Sequence, residues 1–185
     1  MKTSARTSTA KSPCRHDAMA RSTIALGSNL GNRLGNLQKA RDYLKTLARH
    51  GTILQSPVYQ TTPLQCPDQS PDFFNAVVDF HYDGSHQQLL SHTQAIEFYL
   101  GRTAAAETNA PRVIDIDLLL FDDLIYNDGL LEIPHPRLLY RRFVLEPLAD
   151  IRPDARLPQD HLTIREHLQH LESNESPLIL VQAIW

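Results

Sequence analysis

One run, Val113-Ile114-Asp115-Ile116-Asp117-Leu118-Leu119-Leu120, restricts the fold of this chain more than any other segment. It is the most apolar stretch of the sequence and reads as a strand, whose side chains alternate between two faces. Asp115 and Asp117 therefore share one face, while Ile114, Ile116 and Leu118 share the other. Two carboxylates held ~7 Å apart at Cα and flanked by hydrophobics repel one another. Such a pair is costly unless cations sit between the carboxylates or arginines pair with them. Hard oxygen ligands suit Mg²⁺, which keeps several waters and takes further ligands from substrate phosphates. The pair can then hold ions that clamp a phosphoryl chain during its transfer. The plainer alternative is an edge strand with a solvated polar face. Two features argue against it: Leu118–Phe121 is too apolar for an exposed strand end, and Arg112 stands just ahead of the pair, behind Pro111.

The distribution of positive charge adds to this. No Lys or Arg falls between His50 and Gly101, and no Lys follows Lys45. Arg102, Arg112, Arg137, Arg141 and Arg142 then come close together. Arginine offers a rigid, permanently charged fork that matches phosphate or carboxylate oxygens. A bound polyanion must therefore be held by the second half of the chain. The net charge of −3 gives no sign of a nucleic-acid or membrane partner. No apolar run approaches the ~20 residues that a membrane span needs. Cys14 and Cys66 are the only cysteines, which is no disulfide framework and suits a reducing cytosol. The first twenty residues, rich in Ser, Thr, Ala and Arg, have the composition of a transit peptide without its amphipathic pattern. They are expected to be a disordered tail, or an over-long start ahead of Met19. Residues 21–185, with 42% hydrophobic content in the whole chain, suffice for a single domain with a real core.

Along the chain, Ser22–Leu26 reads as a strand and Asn32 as the cap of a helix carrying Leu34, Leu37, Leu44 and Leu47 at helical spacing, with Gly51 as its stop. Thr52–Tyr59 and Asn75–Tyr82 are strands, joined by a long proline-containing loop over Gln60–Asp72. Ser85–Leu100 is a helix, Thr103–Ala110 a mobile loop, and Val113–Phe121 the acidic strand. Short helices near Arg141–Leu148 and Leu162–Leu171 and an apolar tail, Leu178–Trp185, complete the chain. The order predicts an α+β domain: a ferredoxin-like βαββαβ core, mainly antiparallel, with helices packed on the sheet and C-terminal additions.

Several residues could serve a planar substrate beside the acidic strand. Phe73 and Phe143 could supply ring faces, and Asn75 both a donor and an acceptor, although phenylalanines are more often plain core residues. His135, held between Pro134 and Pro136, could contact phosphate near Arg137, Arg141 and Arg142. Glu97 could pair with an arginine and orient it, or simply be solvated. Gly27–Gly31 lacks the ending of a P-loop and the spacing of a dinucleotide fingerprint, so it reads as a strand-to-helix turn.

Taken in order, certain runs carry a resemblance. They are Ala25-Leu26-Gly27-Ser28-Asn29-Leu30-Gly31, Tyr59 with Thr61, Pro71-Asp72-Phe73-Phe74-Asn75, and Glu97 with Gly101-Arg102. Next come Pro111-Arg112-Val113-Ile114-Asp115-Ile116-Asp117, then Pro134-His135-Pro136-Arg137 with Arg141-Arg142-Phe143-Val144-Leu145. From Ile24 onward the chain resembles the 6-hydroxymethyl-7,8-dihydropterin pyrophosphokinases. The resemblance implies transfer of the β,γ-diphosphate of ATP to the pterin hydroxymethyl oxygen, with AMP released. It implies that Asp115 and Asp117 hold two Mg²⁺ ions, and that Arg102 and Arg112 assist the reaction. It places Glu97, Arg102, Arg112, Leu118, His135 and Arg141 at ATP, and Thr61, Thr62, Leu64, Phe73, Asn75 and Phe143 at the pterin. The expected partners are these two small molecules, with no nucleic acid or membrane, in a cytoplasmic monomer or weak dimer. Two departures stand out. Ala104 and Asn109 occupy positions where family members carry a loop Arg and Trp, and an extra residue falls near Ser70. A nucleotidyltransferase also uses Asp-x-Asp with ATP, but it carries a Gly-Ser motif on a preceding helix that is absent here. A non-catalytic binding module is the other alternative.

Overall fold

The computed structural model describes residues 19–64, 70–102, 110–173 and 175–185. β1 (Ala20–Ser28) starts earlier than expected, because Ala20 and Arg21 already pair with Tyr82 and His81. Asn32 caps α1 (Arg33–Leu47), its side chain accepting the Gly35 N–H at 3.0 Å. Gly51 does not end this helix. α1 passes at once into β2 (Ala48–Gln55), where His50 (φ 55°) and Gly51 (φ 63°) take left-handed backbone that breaks the strand's register.

The expected strand Thr52–Tyr59 is divided, with β2 followed by β3 (Val58–Thr61). Pro57 has no N–H to give to a ladder, and Ser56 bridges the gap: its N–H donates to the Val77 carbonyl and its hydroxyl accepts the Val77 N–H, both at 2.9 Å. β4 (Phe73–Tyr82) pairs with both pieces on one side and with β1 on the other. α2 (His86–Tyr99) begins at a Ser85–Gln88 capping box. β5 (Asp115–Phe121) then pairs antiparallel with β1.

These pieces are the expected βαββαβ core in an antiparallel sheet of order β5-β1-β4-β3, with β2 beside β3 along β4. After β5 come a small hairpin, β6 (Tyr126–Asn127) and β7 (Glu132–Ile133), and then α3 (Arg142–Ile151) and α4 (Ile164–Gln169). The apolar tail is a strand, β8 (Ile179–Gln182), which extends the sheet beyond β3. Trp185 behind it is buried, and its indole N–H donates to the Ser56 carbonyl at 2.7 Å.

Alternation along the strands sorts the core into two layers. Ile24, Leu26, Val78, Phe80, Ile116 and Leu118 pack toward α1 and α2. Val77, Leu119 and Leu120 pack on the opposite side against Val144, Leu145, Leu148 and Ile164 of α3 and α4. On that second side the carboxylate of Asp79, 2% exposed, accepts from Arg21 Nε at 2.6 Å, Thr23 Oγ1 at 2.7 Å and Arg152 Nη1 at 3.1 Å. Among the described residues no helix is long and apolar enough to cross a membrane.

Candidate active site

Strand register builds the site before any side chain is considered. Gly27 on β1 lies opposite Asp115 on β5 and opposite Asn75 on β4, and Ala25 lies opposite Asp117 and Val77. Neighbouring strands are ~4.8 Å apart, so the carboxylates and the amide face the same space from about two strand spacings apart. The two smallest floor residues, Gly27 and Ala25, lie between them. Above this floor is a cavity of about 300 Å³, walled by Thr61, Thr62, Leu64 and Phe73 on one side. Arg112, Arg137, Tyr140, Arg141, Phe143 and Glu175 complete the wall.

The glycine at position 27 is therefore more than a turn residue. A Cβ there would stand 3.2 Å from Asn75 Oδ1 and 3.8 Å from Asp115 Cβ and Phe73 Cδ1. Gly27→Ala is expected to push the Asn75 amide aside and raise the KM for the ring substrate about tenfold, with the KM for the nucleotide unchanged in steady-state kinetics.

The acidic pair is arranged as its alternation requires, on the face opposite Ile116 and Leu118. Asp115 is held by two arginines: Oδ1 accepts from Arg102 Nη1 at 2.8 Å, and Oδ2 lies 3.1 Å from Arg112 Nη1. Arg102 also pairs with Glu97, which accepts the Ile116 N–H at 2.8 Å. Burial pushes the Glu97 carboxyl up to about 7 against the pull of Arg102. Asp117 is pushed up to about 6, first by burial and then by the charge of Asp115, while Arg141, Arg137 and Arg112 oppose the shift.

A magnesium ion suits this pair. Among the described residues no group of three or more His, Cys, Asp or Glu converges, so the protein offers two carboxylates and leaves the remaining positions to water and phosphate. The strain on Asp117, a carboxylate short of positive charge, is relieved by a cation at that place.

His135, which does not line the cavity, is placed through an irregularity in the acidic strand. Thr23 pairs with Leu120 and Ile24 with Leu118, so Leu119 is bulged out of the β1 ladder. Its carbonyl is thereby released to accept the His135 N–H at 2.9 Å. Burial, with Arg137 and Arg141 adding, lowers the imidazole to about 4, and its Nδ1 accepts the Arg137 N–H at 3.2 Å. His135 is therefore neutral near pH 7, and with Nδ1 accepting from Arg137 the remaining ring nitrogen is left as the N–H donor.

Other expected site residues divide clearly. Asp115, Asp117, Arg112, Arg141, Thr61, Thr62, Leu64, Phe73, Asn75 and Phe143 all line the cavity. Asn75 is 5% exposed and donates from Nδ2 to Thr61 Oγ1 at 2.7 Å. Arg112 lies 5.9 Å from the Phe73 ring centre and Arg141 5.3 Å from that of Phe143. Glu97 and Arg102 stand behind the wall, acting on Asp115. Leu118 does not line this cavity: its side chain is 3% exposed in the core, because alternation sends it to the face opposite the aspartates. Ala104, Asn109 and the loop around them lie outside the described residues, as do residues 1–18, Cys66 and Pro67.

The sequence reading missed a brace in the turn after β1. Asn29, 2% exposed, accepts the Arg112 N–H at 2.7 Å and donates to the Pro71 carbonyl at 3.3 Å. Ser28 donates to the Val113 carbonyl at 2.5 Å, as does Asn36 at 3.1 Å. These bonds tie the approaches to β4 and β5, and so set Phe73 and Asp115 at a fixed separation. The run Gly27-Ser28-Asn29 was visible, but its role depends on partners more than forty residues away.

Fold and site together define an antiparallel α+β domain whose cavity brings two carboxylates and several arginines together. Comparison with known proteins agrees. A family model described as 7,8-dihydro-6-hydroxymethylpterin-pyrophosphokinase (HPPK) matches residues 23–153, and the chain belongs to that family. It is 38% identical over 135 residues to the 2-amino-4-hydroxy-6-hydroxymethyldihydropteridine pyrophosphokinase of Pseudomonas aeruginosa, covering 73% of this chain and 82% of that one. With the Bacillus subtilis protein of the same name it is 40% identical over 128 residues, covering 69% and 75%. The folic acid synthesis protein fol1 of Schizosaccharomyces pombe is 35% identical over 150 residues, 81% of this chain but 20% of its own length. The chain thus spans about a fifth of that fungal relative. A crystal structure of Plasmodium falciparum HPPK-DHPS has the same fold, with a TM-score of 0.65 at 14% identity over 85% of this chain and 45% of that one.

Proposed function

We propose that this protein transfers the diphosphate of ATP to the hydroxymethyl group of 6-hydroxymethyl-7,8-dihydropterin, giving AMP and the pterin diphosphate, a step of tetrahydrofolate synthesis. The observation that carries the reading is the shared row Asp115–Gly27–Asn75, which opens the acidic pair and a ring-sized pocket into one cavity. Membership of the pyrophosphokinase family and the names of the bacterial relatives support it.

Phe73 and Phe143 receive the faces of the pterin, and Asn75, with the chain at Thr61, Thr62 and Leu64, reads its edge. A ring seated there directs its hydroxymethyl group over Gly27 and Ala25 toward Asp115 and Asp117. The hydroxymethyl oxygen forms a bond to the β-phosphorus of ATP and gives up its proton to water, the bond from that phosphorus to the α,β-bridging oxygen breaks, and AMP leaves with the electron pair. Arg112, Arg137 and Arg141 draw the triphosphate to the cavity mouth and balance its charge, and His135 donates a hydrogen bond. Arg102, oriented by Glu97, moves its charge between Asp115 and phosphate. Asp115 and Asp117 would hold Mg²⁺, two ions in this reading, which when bound supplies charge neutralisation to the phosphate chain. Positioning and charge do the work, with no covalent enzyme intermediate. Two cysteines and an ATP co-substrate support a cytoplasmic setting, and the assembly in this reading is a monomer or weak dimer.

Incubation with ATP, Mg²⁺ and the pterin alcohol tests the proposal by its products. AMP with a diphosphorylated pterin is the expected result, abolished by EDTA and restored by added Mg²⁺. ADP would indicate a simple kinase, an adenylylated product with free diphosphate a nucleotidyltransferase, and untouched ATP a binding module.

A further inference from the structure

Residues from Asp154 to Trp185 lie beyond the 23–153 stretch that the family model covers, yet this segment reaches the cavity. It does so through Glu175, a half-buried residue that lines the wall beside Tyr140 and Phe143. Glu175 Oε1 accepts the N–H of Arg142, the first residue of α3, at 3.1 Å, which fixes the carboxylate against the turn presenting Phe143. Its own N–H donates to the Ser173 hydroxyl at 3.1 Å. Sheet register shows which end of the cavity it occupies. Ile179 of β8 lies opposite Gln60 of β3 in antiparallel pairing, so the chain before Ile179 runs beside the chain after Gln60, toward Thr62. Glu175 therefore stands at the ring end, separated by β1 and β4 from the aspartates of β5.

The sign of its charge is the informative point. At the phosphate end Asp115 and Asp117 are offset by arginines, whereas Glu175 makes no ion pair among the described residues. At the ring end, Glu175 Oε2 has no hydrogen-bond partner among the described residues. Asn75 has already committed an N–H to Thr61. A carboxylate accepts hydrogen bonds and donates none, so it selects a heterocycle edge that carries N–H groups and rejects one that carries carbonyls. We propose that Glu175 is a specificity-determining residue that accepts a hydrogen bond from the 2-amino group of the pterin, so that the enzyme selects 2-amino rings over their 2-oxo counterparts. This rests on the pterin reading of the cavity.

Titration of ring fluorescence measures this without requiring turnover, comparing hydroxymethyl-pterin with its 2-oxo analogue on the full chain. Wild type is expected to bind the 2-amino ring about 10- to 100-fold more tightly, as loss of a hydrogen bond to a charged group implies. Glu175→Gln keeps an acceptor for the Arg142 N–H, so α3 and the KM for ATP should be unchanged. Its amide can donate to a 2-oxo group, and the preference should vanish or reverse. Equal ring preference in wild type and Glu175→Gln overturns the role of Glu175 alone, as does a wild type that binds both rings equally. A wild type that binds neither ring overturns the pterin reading as well.

Discussion

Asp117→Asn is expected to lower turnover at least ~10²-fold while leaving the protein folded and as stable as before, or more so. The side chain keeps its size and its place on β5 but loses the charge that would hold a cation against phosphate. The stability half of the expectation follows from the same surroundings. Burial and the neighbouring charge of Asp115 disfavour an ionised Asp117, which is why its carboxyl is pushed up to about 6. Removing that charge relieves the fold of a cost that the nearby arginines offset only in part, a common trade between activity and stability at catalytic sites. Steady-state rates with thermal melts check both halves. Near-normal turnover would remove Asp117 from the metal site, and a collapsed melt would mean that the carboxylate is structural.

The largest expected effect on stability lies elsewhere on the same sheet face. Asp79→Ala should destabilise the domain by about 3–5 kcal/mol, because it leaves the guanidinium of Arg152, 19% exposed, without its carboxylate. Thr23 loses its acceptor at the same time. For a chain of this size that corresponds to a fall in Tm of roughly 6–20 °C. Arg21 is 36% exposed and can turn to water, so Arg21→Ala should cost far less. Chemical denaturation of the two variants side by side measures the contrast. Equal, small losses in both would show that the Asp79 cluster is no more than a surface ion pair.

How far each element was legible follows from the range of the forces that make it. α1 and α2 could be read at their starts because a cap is a local bond: Asn32 serves the Gly35 N–H and Ser85 the Gln88 N–H, both within one turn. The end of α1 was misplaced because Gly51, a good stop by local rules, is used instead for a break in strand register that only pairing with β4 demands. The division of β2 from β3 likewise depends on Ser56 meeting Val77 across the sheet. Asp115 and Asp117 were legible from alternation alone. Leu118, carried to ATP by resemblance, has its side chain sent to the other face by that same alternation.

From its sequence alone the chain declares a strand with two acids on one face, an arginine-rich second half, a βαββαβ order and a family. Each of these rests on local periodicity or on runs of adjacent residues. The tertiary structure decided which faces meet: Gly27 as the floor between acid and amide, Asn29 as the brace between two distant loops, and a bulge at Leu119 that positions His135. It also brought in Glu175 from the C-terminal segment. These relations are made by strand register and long-range hydrogen bonds, and no spacing along the chain encodes a distance between residues that meet only after the sheet has closed.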